Sequence, residues 1–158
     1  ALSPAGAWQS GEPSAAKRPR LLLATIRDTR RSRPLLPLLT LSPTFRRWAL
    51  RNTALHGDRV SRSEFLGLAD DTIGCQVGED LLRSEDQLAP LDPSPCPITL
   101  AWSAQDRIFP VDVNGVRARE LIPEARFIVL DGVGHVPMLD DPELVAKTIL
   151  AVSATRVL

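Results

Sequence analysis

Two five-residue apolar runs constrain this chain more than any other feature. They are ITLAW at 98–102 and RFIVL at 126–130. Each is short, continuous and free of the polar alternation that marks a half-exposed strand, so each reads as a strand buried on both faces. Helical patterns follow both. Pro110 opens one that runs to about Ile122 despite Gly115 and stops at Pro123. Asp140-Asp141 before Pro142 is an N-cap followed by a first-turn proline, and ELVAKTILAVSA then places Leu144, Val145, Thr148, Ile149 and Val152 on one stripe. Strand, helix, strand, helix is an α/β arrangement with parallel strands. Two strands are too few for such a sheet, which needs several neighbours and cover on both faces. The pair is therefore expected to be the edge of something larger.

The preceding residues have a different texture. Residues 1–10 are short and turn-like, with Pro4, Gly6 and Trp8. Residues 13–89 read mainly as helices. One opens near Pro13, with Pro19 as an interruption, and Pro34 and Pro37 break the pattern. Ser42-Pro43 starts another, with Phe45, Trp48, Ala49 and Thr53 at helical spacing and Gly57-Asp58 as its end. A third begins near Ser61 or Ser63, and Leu81 to Leu88 suits a fourth. Prolines at 90, 93, 95 and 97 then form a stiff extended linker. The boundary is expected there.

Bulk composition narrows the function classes. The 158 residues carry 44% hydrophobic and 24% charged residues with no net charge, an ordinary globular balance. Residues 1–62 hold 12 Lys and Arg against 3 Asp and Glu, and the rest is correspondingly acidic. The arginines are scattered through apolar runs, as in a solvated helical layer. No aromatic interleaving accompanies KRPR or RDTRRSR, so no nucleic-acid partner is expected. No run of 18 apolar residues exists, so no membrane partner is expected either. Cys75 and Cys96 match no zinc or redox spacing and are expected as free thiols, which suits a cytoplasmic location. The histidines at 56 and 135 have no accompanying ligand spacing, so no metal is expected.

The chemistry lies in the loops that follow the two strands. Asp106 comes just past the first strand, and His135 follows Asp-Gly-Val-Gly at the end of the second. Open α/β sheets place their reactive groups at this end of the strands. A lone Asp is usually a turn residue, and a lone loop His is usually ordinary surface. Their placement at the same end of neighbouring parallel strands changes the odds. A carboxylate there can accept the imidazole N–H, fix its tautomer and stabilise the imidazolium. Gly132 and Gly134 let the backbone turn tightly and aim the ring over the sheet edge.

WSAQDRIFP resembles the acid loop of α/β-hydrolase fold enzymes, and GVGHVPMLDDPELVAKTI resembles the His loop and last helix of that family. Residues 91 to about 152 match closely, and ALSPAGAW is similar to the loop entering the helical cap. Ser103 stands where many members carry Gly. The resemblance implies the C-terminal part of an α/β-hydrolase fold: residues 1–10 leaving the core, 11–89 forming a helical cap, and 90–158 carrying the acid and base loops. It implies hydrolysis of an ester, amide, lactone or C–C bond in a small-molecule substrate, with Asp106 and His135 as catalytic residues and no cofactor. Substrate-contacting residues are not assigned. Trp8, Phe45, Trp48 and Phe65 are candidates to line a tunnel, with core packing the more ordinary role.

The family relay runs Ser, Asp, His, with the serine in a G-x-S-x-G elbow. None of the eleven serines has those glycines, and no Asp stands in an elbow either. The pair His56-Gly57 resembles an oxyanion His-Gly, yet follows a helical pattern and reads as a helix end. Nucleophile and oxyanion hole are expected from an N-terminal half, in the same or a separate chain. The chain alone is expected to be inactive, and prone to aggregation or obligate pairing. The competing expectation is a non-catalytic hydrolase relative whose Arg-rich cap binds a ligand or partner.

Overall fold

A computed structural model describes residues 1–7, 13–76 and 87–154, with side chains in the first helix described from residue 23 onward. The helical layer comprises α1 (Pro13–Ser32), α2 (Leu36–Leu39), α3 (Pro43–Ala49) and α4 (Arg62–Gly74). The strand-bearing part comprises β1 (Thr99–Ser103), α5 (Val116–Leu121), β2 (Arg126–Leu130), α6 (Pro137–Asp140) and α7 (Pro142–Ala154). A five-residue π-helical segment, Val111–Gly115, leads into α5.

β1 and β2 pair in parallel, with Leu100 opposite Phe127 and Ser103 opposite Leu130. Side chains alternate across the sheet with period two. Leu100 and Trp102 point to one face, where they pack with Ala118, Ile122 and Phe127 beneath α5. Ala101, Ile128 and Leu130 point to the other, where Val133 and Leu144 meet them. β1 also has a neighbour on its second edge. Ser3 N–H donates to the Ala101 carbonyl and Ala101 N–H to the Ala1 carbonyl, both at 2.9 Å, making a parallel bridge at Leu2. β1 is thus interior and nearly fully buried, whereas β2 is an edge with Val129 exposed.

The helical layer has its own apolar centre of Leu36, Val60, Phe65 and Ala69. Phe45 packs there, its ring centroid 6.1 Å from that of Phe65. Trp48 does not: it is largely exposed, with the Arg51 guanidinium 4.7 Å above its ring. Ser42 caps α3 by accepting the Phe45 N–H, and Ser61 and Glu64 form a reciprocal capping box on α4. Those bonds hold the Glu64 carboxyl below the usual value. Their contribution is therefore present at neutral pH and lost as pH falls through the folded-state value.

Several expectations are corrected by the structure. α1 runs through Pro19, although proline supplies no N–H for the helical ladder. α3 stops at Ala49, well short of Gly57. Gly57 is no helix stop: a Cβ there would lie 2.9 Å from Leu50 Cβ and 3.0 Å from the Arg46 carbonyl, so its role is close approach to α3. On α7 only Val145 of the expected stripe is buried, and Ile149 and Val152 are exposed. Residues 90–97 contain no helix or strand, as the prolines dictate. Of the expected helix over Leu81–Leu88, residues 81–86 lie outside the described residues and residues 87–88 are not helical; the contacts of Trp8 also lie outside them. Cys75 and Cys96 are both free and exposed.

Candidate active site

The sheet brings its two strand-end loops together, and Asp106 meets His135 there. One carboxylate oxygen, Oδ1, accepts the N–H groups of Ile108 at 2.9 Å and Phe109 at 2.7 Å. This is an Asx-type turn, the local habit that makes aspartate a loop residue. It fixes the carboxylate plane and leaves Oδ2 for His135, whose Nδ1 lies 2.8 Å away. The Asp106 side chain is wholly buried, and that of His135 keeps 21% of its surface in solvent. An ionised carboxylate only accepts, so this bond assigns the proton to Nδ1 and leaves Nε2 as the basic atom. The Phe109 ring meets the imidazole edge-on at 5.1 Å between centroids.

The acid loop is tied to the core beneath it. Trp102 Nε1–H donates to the Phe109 carbonyl at 2.8 Å, and Trp102 itself is completely buried. Ala104 N–H donates to Leu130 and Gln105 N–H to Val133, joining the acid loop to the end of β2. Ser103 N–H donates to Ser3 Oγ, while the Ser103 hydroxyl is buried without a partner.

The glycines of the His loop act in two different ways. Gly132 has φ +74°, a left-handed conformation that side chains disfavour. Gly134 instead lies against the backbone of the α3–α4 connection, where a Cβ would fall 3.0 Å from Leu55 N and 3.1 Å from Ala54 Cα. Backbone cannot rotate away as a side-chain tip can. Gly134→Ala should therefore cost about 1–3 kcal/mol through overpacking, measured by urea unfolding.

One residue with a bearing on the site escaped the sequence reading. Asp140 and Asp141 look like a single acidic N-cap, but they divide the work. Asp141 caps α7 by accepting the Leu144 N–H at 2.8 Å. Asp140 is buried and accepts three backbone N–H groups: Gly134 at 2.7 Å, Leu55 at 2.9 Å and His56 at 2.6 Å. The signal available was redundancy, since one Asp suffices for the cap. His56 thus contributes its backbone to this cluster and forms no helix end. Among the described residues no group of three His, Cys, Asp or Glu side chains is placed to hold a metal ion. Nor is any described helix long and apolar enough to cross a membrane.

Two parallel strands thus carry the Asp106 and His135 loops on adjacent ends within an α/β arrangement. Residues 2–148 match the alpha/beta hydrolase family, and the chain belongs to it. It is 32% identical over 96 residues to the epoxide hydrolase EphH of Mycobacterium tuberculosis (strain ATCC 25618 / H37Rv), covering 58% of this chain and 45% of that protein. Its fold is similar to an esterase from Thermogutta terrifontis (TM-score 0.61, 18% identity), covering 97% of this chain and 54% of the esterase. It is similar also to 2-hydroxy-6-oxo-6-phenylhexa-2,4-dienoate hydrolase from Rhodococcus sp. strain RHA1 (TM-score 0.61, 17% identity), covering 98% of this chain and 54% of that hydrolase. The chain thus spans about half the length of these relatives.

Proposed function

We propose that this chain supplies the base and the acid of a hydrolytic relay acting on a small-molecule substrate. The observation that carries the reading is the 2.8 Å bond between His135 Nδ1 and an Asp106 carboxylate whose other oxygen is already held by two backbone N–H groups. His135 Nε2 takes the proton from a nucleophile as that nucleophile attacks the substrate, then returns it to the leaving group. Asp106 keeps the imidazole in the useful tautomer and stabilises the imidazolium. The nucleophile and oxyanion amides come from a segment outside these 158 residues, and the described helices between Pro13 and Gly74 belong to the cap.

Two chemistries share this base and acid. A serine nucleophile gives an acyl-enzyme and hydrolysis of an ester, amide, lactone or C–C bond. A carboxylate nucleophile has no proton to give up: it opens an epoxide to a hydroxyalkyl ester, the freed oxygen taking a proton from solvent, and His135 then takes a proton from the water that hydrolyses that ester. The identity to an epoxide hydrolase favours the second as the alternative. Labelling with a serine-directed phosphonate tests the reading. The chain alone should take up none, because no serine sits in an elbow. Joined to, or mixed with, a segment carrying G-x-S-x-G, it should support labelling and ester turnover. Epoxide opening without labelling would select the carboxylate route. Labelling of the chain alone would sink the assignment of the nucleophile elsewhere.

A further inference from the structure

The general base of a relay needs more than its acid partner: the backbone that carries it must be held on both sides. Here the residue before His135 and the residue after it are both fastened to the connection between α3 and α4. Gly134 N–H donates to Asp140, and Asp140 also takes the N–H groups of Leu55 and His56. Val136 N–H donates to the Thr53 carbonyl at 2.8 Å. The absence of a side chain on Gly134 lets the two backbones touch.

We propose that Asp140 is a positioning residue for His135, and that Asp140 and residues 53–56 form a clasp through which the helical layer sets the orientation of the base. The inference rests on the proposed role of His135 and goes beyond it by naming what aims the ring. A capping role for Asp140 does not account for the geometry. Asp141 already caps α7, and none of the three Asp140 partners lies in that helix. A buried carboxylate bound to three N–H groups from two distant segments fixes those segments relative to each other. Because the middle segment carries His135, the clasp also fixes the angle at which Nδ1 meets Asp106.

The test is proton NMR of the chain joined to, or paired with, a segment carrying G-x-S-x-G, read at the strongly deshielded Nδ1–H that a buried Asp–His pair produces. Asp141→Ala serves as the control, since it removes a neighbouring carboxylate and a helix cap without touching the clasp. The wild-type chain and Asp141→Ala should both show the deshielded proton. Asp140→Ala should lose it, or exchange it with water at least tenfold faster, while circular dichroism still reports a folded chain. Asp140→Asn keeps at most two of the three bonds and should fall between. If Asp140→Ala fails to fold, Asp140→Asn decides alone. A Nδ1–H signal as sharp and slowly exchanging in the Asp140 variant as in Asp141→Ala would overturn the clasp. Absence of the signal from the wild-type chain would instead overturn the Asp106–His135 relay itself, so the two failures are told apart.

Discussion

On the proposed relay, His135→Ala should lower kcat by about 10⁴- to 10⁶-fold once the chain is joined to a segment carrying G-x-S-x-G. Members of such a relay act as a unit, and removing the base leaves only the catalysis of binding and the oxyanion hole. Asp106→Asn should cost about 10⁴-fold, some 5–6 kcal/mol of transition-state stabilisation. The reason lies in the loop. An asparagine oxygen can keep both the Ile108 and Phe109 N–H bonds, so the turn survives. Its amide NH₂ then faces His135 Nδ1 and drives the ring to the other tautomer, in which Nε2 carries the proton and cannot act as base. Single-turnover kinetics beside a thermal unfolding curve separate this from misfolding: activity collapses and the unfolding midpoint barely moves. Retention of activity within tenfold of wild type in His135→Ala would remove His135 from the chemistry.

The largest stability effect is expected at Trp102. It is fully buried on the face of β1 beneath α5, packs on Phe127 at 6.1 Å between centroids, and holds the Phe109 carbonyl through its indole N–H. Trp102→Ala should cost about 3–5 kcal/mol from lost burial and the cavity left behind. Trp102→Phe fills more of that space but removes the indole bond to the Phe109 carbonyl, and should cost about 1–3 kcal/mol. The two variants separate packing from the hydrogen bond. With the same unfolding assay, Trp102→Phe should also loosen the acid loop, seen as faster amide exchange at Ile108 and Phe109, whose N–H groups bind Asp106. An unchanged loop would mean that the indole braces nothing.

Much of the strand-bearing half was legible before the structure. β2 has the expected bounds and β1 is displaced by one residue, since a short apolar run between polar loops leaves little choice, but the expected burial on both faces holds for β1 alone: in β2 only Leu130 is buried, because β2 is an edge strand. The helix starts at Ser42-Pro43, near Ser61 or Ser63 and at Asp140-Asp141 were legible because capping is local chemistry, and the structure places the caps on Ser42, Ser61 and Asp141. The meeting of Asp106 with His135 was legible because parallel strands put their ends on one side. The end of α3 was not: periodicity at Thr53 continues past Ala49, but the chain turns away to reach Asp140 and the His loop. Nor was Asp140, whose partners are fixed by contacts between segments far apart in the sequence. Local pattern reports what a residue does to its neighbours, and Asp140 acts on residues more than eighty positions away.

That separation bears on when the site comes into being. Loop closure over 84 and 85 residues carries a large entropic cost before any contact repays it, so such contacts form late in folding. The Asx turn at Asp106 needs only three consecutive residues beyond it and can form early. The Asp106 carboxylate is thus fixed by its own loop, whereas the proposed orientation of His135 waits on the docking of helical layer and strands.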